Sequence, residues 1–213
     1  YSLLISHYSL SQVELVDADN PVYGFLKRMQ LDGIIPEYNS SEMPLSRYEL
    51  AGFLKIIKNN YKSALEIGTS TGHSGIWIAW ALSKTGGKLV TIEIDERRHR
   101  QAVQNFRDAG LSEFIDARLA DAHQLVKELK GPFDFVFSDA DKDWYKNYFI
   151  DIDPKLKVGG CFTAHNVSER GRGYGGYGGQ AQFLTYVRSL PNYETTVNSA
   201  GGGVSISYKK ADK

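Results

Sequence analysis

The sequence predicts an α/β fold built on one doubly wound, mostly parallel seven-stranded sheet, with a C-terminal antiparallel hairpin and an N-terminal helical extension. Three observations predict it. From residue 63 onward, short apolar runs of strand length alternate with segments of helical period. A glycine turn, GTSTG from Gly68 to Gly72, joins the first of those strands to the first of those helices. Near the end the alternation stops, and two strand-like runs flank Gly201-Gly202-Gly203, the pattern of a hairpin.

In chain order, residues 1–45 read as a helical extension and 46–213 as the core of the same single domain. Within the extension, Val22 to Met29 has a plausible helical face, which Ile34-Ile35-Pro36 interrupts. Ser46-Arg-Tyr-Glu49 is a capping-box pattern ahead of Leu50, Phe53, Leu54, Ile56 and Ile57, and predicts a helix ending near Asn59-Asn60. Strands follow at 63–67, 88–93, 115–119, 133–138 and 160–164, with helices at 73–84, 96–109, 121–129 and 141–152 between them. A helix over 180–189 leads to strands 193–198 and 204–209, of which one should be an antiparallel edge strand.

Composition narrows the function. Lys and Arg number 25 and so do Asp and Glu, which argues against bulk attraction to nucleic acid or to an anionic membrane. No run reaches the roughly 18 apolar residues of a membrane span, and the chain is expected to be cytoplasmic. The single cysteine, Cys161, excludes an internal disulfide framework and reads as buried packing.

The chemistry concentrates where strands end. The stretch Ala64 to Gly75, ALEIGTSTGHSG, brings bare backbone and a helix start together, a setting for an anionic or carboxylate-bearing ligand. It has no GK(S/T) for a triphosphate, and its spacing is GxxxG, not the GxGxxG of dinucleotide folds. About 20 residues on, Glu93 ends the second strand, where a carboxylate accepts from both hydroxyls of a ribose. With Glu66 as a second acid at the same sheet edge, the pair suits a nucleoside carrying positive charge. Read alone, the same residues also describe a tight turn and a solvated strand end.

A second cluster follows the fourth and fifth strands. Asp139, His165 and Asn166 offer an oxygen, an imidazole nitrogen and an amide oxygen to one divalent cation. Lys142 stands three residues past Asp139, placed to take or orient the proton of a substrate hydroxyl. An exposed acidic loop with a capping aspartate is the alternative reading.

Five motifs in order, ExGxxxGxS (Glu66 to Ser74), TIEID (Thr91 to Asp95), LADA (Leu119 to Ala122), FDFVFSDADKDWY (Phe133 to Tyr145) and VGGCFTAHN (Val158 to Asn166), resemble the S-adenosylmethionine-dependent, cation-dependent O-methyltransferases of the catechol and caffeoyl-CoA type. The resemblance runs from about Met43 to Lys210. It implies a Rossmann-like core, S-adenosylmethionine as cofactor, a divalent cation (magnesium or manganese), a small catechol-like aromatic hydroxyl acceptor, and a homodimer. It implies that Met43, Glu66, Gly68 and Ser74 surround the methionine part of the cofactor, that Glu93 holds the ribose, and that Asp121 and Ala122 border the adenine. Asp139 would touch cofactor and metal, Asn166 would be the last metal ligand, and Lys142 the general base or orienting group. At His165 the pattern usually has aspartate. Either His165 ligates and shifts preference from magnesium toward manganese, iron or zinc, or the metal is lost and a different acceptor, or none, is methylated.

The run Gly171 to Gly179, GRGYGGYGG, resembles arginine- and glycine-rich segments of RNA-binding proteins, but one copy without a basic surround suits a substrate lid carrying Tyr174 or Tyr177 better. No nucleic-acid partner is expected. Trp144 and Tyr145 are candidates for the wall of the acceptor pocket or for core packing.

Overall fold

The computed structural model describes residues 60–167, 178–198 and 203–212. The extension 1–45 with Met43, the helix expected before Asn59 and residues 171–177 of the glycine-rich run lie outside them. The strands are β1 (Ser63–Ile67), β2 (Lys88–Glu93), β3 (Ile115–Leu119), β4 (Phe133–Ser138), β5 (Leu156–His165), β6 (Tyr193–Asn198) and β7 (Val204–Lys209). The helices are α1 (His73–Ser83), α2 (Glu96–Asp108), α3 (Ala122–Glu128), α4 (Tyr145–Ile152) and α5 (Gly179–Arg188). None of the described helices is long and apolar enough to cross a membrane.

Burial explains the strand sequences. All six residues of β4, FDFVFS, are buried, because β4 lies mid-sheet with packing on both faces. β3, at the sheet's edge, has only intermediate and exposed positions and carries the Asp116–Arg118 ion pair. Alternate residues of a strand serve opposite faces. Leu65, Ile67, Val136 and Phe162 join one core with α3, α4 and α5, whereas Ala64, Leu89, Phe135, Phe137 and Cys161 join the other with α1. Phe149 of α4, fully buried against Phe162, Phe183, Tyr186 and Tyr193, contributes about 1.5–3 kcal/mol of transfer free energy.

The sheet runs β3-β2-β1-β4-β5-β7-β6, with β1 through β5 parallel. The hairpin is present, but its antiparallel strand is not at the edge. β7 inserts between β5 and β6 and runs antiparallel to both, so the edge strand β6 keeps the direction of the others. Lys209 of β7 is buried, and its ammonium donates to the carbonyls of Asp153 (2.9 Å) and Leu156 (3.0 Å). β5 begins four residues before the expected 160, and the helix expected from 141 opens as a 3-10 turn, Lys142–Trp144.

The order reverses between β1 and β4. Both neighbours leave their C-terminal ends there, and open α/β sheets bind ligands at such a crevice.

Candidate active site

The loop after β1 is shaped by backbone proximity. Gly68 has φ +99°, and a Cβ there would lie 2.9 Å from the Ala140 nitrogen, so only glycine lets the β1 and β4 loops meet. The Gly68 and Thr69 amides both donate to the Ile92 carbonyl at 3.0 Å, and the Asp139 amide donates to the Ile67 carbonyl at 2.9 Å, tying three strand ends together. α1 then starts at Gly72 without a side-chain cap.

These strand ends enclose a cleft of about 440 Å³. Gly68, Glu93, Asp121, Ala122 and Asp139, all expected at the cofactor, line it together. Glu93 is its fixed point. Its Oε2 accepts from the Ser70 amide (2.7 Å), and its Oε1 from the Asp95 amide (2.9 Å) and the Arg98 side chain (3.0 Å). Ser70 adopts φ +50° in making that contact. A carboxylate held on two oxygens by backbone donors keeps its outer lone pairs aimed into the cleft.

Glu66 differs from expectation. It is 0% exposed and lies behind the loop, not on the cleft wall. Ser74 Oγ and Thr91 Oγ1 each donate to it at 2.5 Å, and Thr69 Oγ1 lies 2.5 Å from Thr91 Oγ1. Burial pushes the carboxyl up to about 7, the two hydroxyls pull against that, and the charges of Asp139 and Glu93 push further up. The Ser74 hydroxyl, expected on a ligand carboxylate, is directed at Glu66. Both residues brace the glycine loop from within.

The far wall holds residues that sequence reading missed. His123 packs on Trp144 with centroids 4.4 Å apart, its Nδ1 lies 3.6 Å from Asp121 and its Nε2 3.4 Å from Asp141. It bridges the loops that follow β3 and β4. Ile94, 65% exposed, offers an apolar shelf beside Glu93. An exposed isoleucine directly after an acid at a strand end was the available signal; nothing in the sequence pairs His123 with Trp144.

Asp139 joins this cleft to the second cluster. The Lys142 ammonium contacts its Oδ1, and His165 Nδ1 lies 3.1 Å from its Oδ2. Burial would raise the Asp139 carboxyl, but the His165 hydrogen bond and the Lys142 charge prevail and hold it below the usual carboxylate range. Tyr145 is buried and donates through its hydroxyl to the His165 carbonyl (3.0 Å), so it fixes the end of β5; Trp144 backs His123. Asn166 follows in the left-handed region at φ +58°. The side chains of Asp139, Lys142 and His165 thus meet at the ends of β4 and β5.

As a seat for magnesium the donor set does not fit. Its one carboxylate is already matched by an ammonium, the neighbouring donor is an imidazole, and magnesium prefers oxygen ligands with more negative charge. Among the described residues no three His, Cys, Asp or Glu side chains gather in a metal-holding group.

A family model described as O-methyltransferase matches residues 26–184. The catechol O-methyltransferase of Niastella koreensis is 40% identical over 115 residues, 52% of this chain and 52% of that protein. Caffeoyl-CoA O-methyltransferase 1 of Eucalyptus globulus is 35% identical over 119 residues, 54% and 47% of the two chains. The chain therefore aligns with about half the length of these relatives. In fold it resembles an O-methyltransferase from Bacillus cereus solved with SAH (TM-score 0.68, 24% identity, 92% and 93% coverage). It also resembles one from Streptomyces achromogenes solved with SAM (TM-score 0.70, 22% identity, 93% and 92% coverage).

Proposed function

Because the chain belongs to this O-methyltransferase family, we propose that it transfers the methyl group of S-adenosylmethionine to a hydroxyl of a small aromatic acceptor. The observation that carries the reading is Glu93, a buried carboxylate oriented by the Ser70 and Asp95 amides at the mouth of a nucleoside-sized cleft. Glu93 would accept from the ribose hydroxyls, Ile94 and the Asp121–Ala122 turn near His123 would border the adenine, and Gly68 and Asp139 would lie toward the methionine end.

The Asp139–Lys142–His165 cluster would then stand at the methyl-donating end. The acceptor oxygen attacks the methyl carbon in line, the S–CH3 bond breaks with its electron pair going to sulfur, and the hydroxyl proton ends in solvent. Lys142 serves best as the orienting group, since its ammonium is held on the Asp139 carboxylate beside the reacting end of the cleft. A catechol-like acceptor is the class that the names of the relatives suggest. Cation assistance through Asp139, His165 and Asn166 is the second reading, suggested by the family of the relatives, and the donor set would restrict it to softer ions than magnesium.

Calorimetric titration of S-adenosylmethionine, followed by transfer of its labelled methyl group to a panel of hydroxylated aromatics, tests the proposal. Micromolar cofactor binding with transfer to oxygen is expected. Absence of cofactor binding would sink the reading.

A further inference from the structure

Resting on the methyltransferase reading, we propose that the acceptor end of the cleft works without a divalent cation and uses the Lys142 ammonium as its fixed positive charge. Three observations carry this. The formal charge of the cluster is already balanced, with one carboxylate, Asp139, against one ammonium, Lys142. A divalent ion bound to Asp139 would meet the lysine on the same carboxylate, and at such distances that repulsion is strong. Second, both Asp139 oxygens are engaged, Oδ1 by Lys142 and Oδ2 by His165 Nδ1 at 3.1 Å. An anionic carboxylate only accepts, so Nδ1 is the protonated ring nitrogen and has no lone pair to give a metal at that position. Third, Asp139 is itself secured, its amide on the Ile67 carbonyl and its main-chain carbonyl accepting from Lys142 Nζ at 3.2 Å, so lysine and aspartate form one closed unit on the β4 turn.

The consequence concerns the substrate. A metal clamp selects acceptors with two adjacent oxygens, because it chelates both. An ammonium on a short tether orients one oxygen and has no use for the second. The acceptor class is therefore aromatic compounds with an isolated hydroxyl, and a vicinal diol confers no advantage.

The test measures metal directly. Chelator-treated protein, with and without S-adenosylmethionine, is titrated with manganese(II), magnesium and zinc by calorimetry, with manganese also followed by electron paramagnetic resonance, beside a His165→Asp variant. The wild type should show no saturable binding up to about 1 mM, while His165→Asp should bind manganese at least about tenfold more tightly. Transfer to a monohydroxy phenol should run in chelator at the rate seen with magnesium, and a catechol should be no better an acceptor. Saturable submillimolar binding to the wild type that Asp139→Asn abolishes would overturn the proposal. So would a His165→Asp variant that binds no better, or transfer that rises tenfold on adding a metal. Failure to bind S-adenosylmethionine would instead remove the methyltransferase reading, and the metal titration of cofactor-free protein would still decide the present one.

Discussion

The two ends of the cleft hold their carboxylates by different means. At the end proposed for the ribose, backbone amides of Ser70 and Asp95 grip Glu93, and the Arg98 guanidinium paired with it is half exposed. At the end proposed for the acceptor, the side chains of Lys142 and His165 grip Asp139. Amide donors orient an anion and leave its charge available to a ligand; an ammonium orients it and cancels the charge. The first arrangement suits a site that must bind neutral hydroxyls. The second suits a site whose own positive group is to face a reacting oxygen.

Substitutions can break this contrast, and the largest effect belongs to the acceptor end. Lys142→Ala should lower turnover by about 10²–10⁴-fold with cofactor affinity changed less than about threefold, read by steady-state kinetics beside calorimetry. A matched fall in cofactor affinity would mean that the two ends are not separable.

Glu66 comes next, and its effect depends on pH. The folded carboxyl, at about 7, holds its proton to higher pH than the unfolded one at 4.5. Its contribution is therefore fully present below pH 4.5, declines between 4.5 and 7, and is lost above that. The full swing is of the order of 3 kcal/mol. Urea unfolding from pH 4.5 to 8 should show that slope in the wild type and a flatter one in Glu66→Gln; parallel curves would refute the assignment.

Glu93→Ala should weaken S-adenosylmethionine by about 1.5–3 kcal/mol, roughly 10- to 150-fold, with turnover at saturating cofactor nearly intact. Smallest is Arg98→Met: the pair is exposed on the arginine side, so a loss of up to about 1 kcal/mol is expected, and less in high salt. A salt-insensitive loss of tenfold would show that Arg98 touches the ligand.

The same contrast bears on what the sequence could tell. Six of the seven strands fall on the residues expected, because apolar runs bounded by glycine and polar turns mark a buried parallel sheet well. β5 starts before the expected 160 because the sheet accepts Gly159 at φ +82° within the strand, at an irregularity between the pairings of Leu156 and Cys161 with β4. Glu93, Asp121 and Asp139 were legible, each at a strand end or first turn that topology must bring to the crevice. Glu66 was read as a ligand contact because a strand position gives no sign of whether its side chain turns to the cleft or back toward Ser74 and Thr91. His123 was missed for a related reason. Its partners Asp141 and Trp144 belong to another loop, and only tertiary packing brings them near.

The place of β7 has a meaning for how the molecule is made. The strand that carries His165 has β4 on one side and β7 on the other, and β7 follows β6 in the chain. A nascent polypeptide emerging from the ribosome can lay down β1 to β5 in turn, yet β5 keeps a bare edge until residue 209 is out and Lys209 can anchor beneath Asp153 and Leu156. Until then that edge is open to pairing with another chain. Stalled or clipped products lacking β7 would be sticky, and a purification tag set close behind residue 209 would press on the strand that pairs with the one carrying His165.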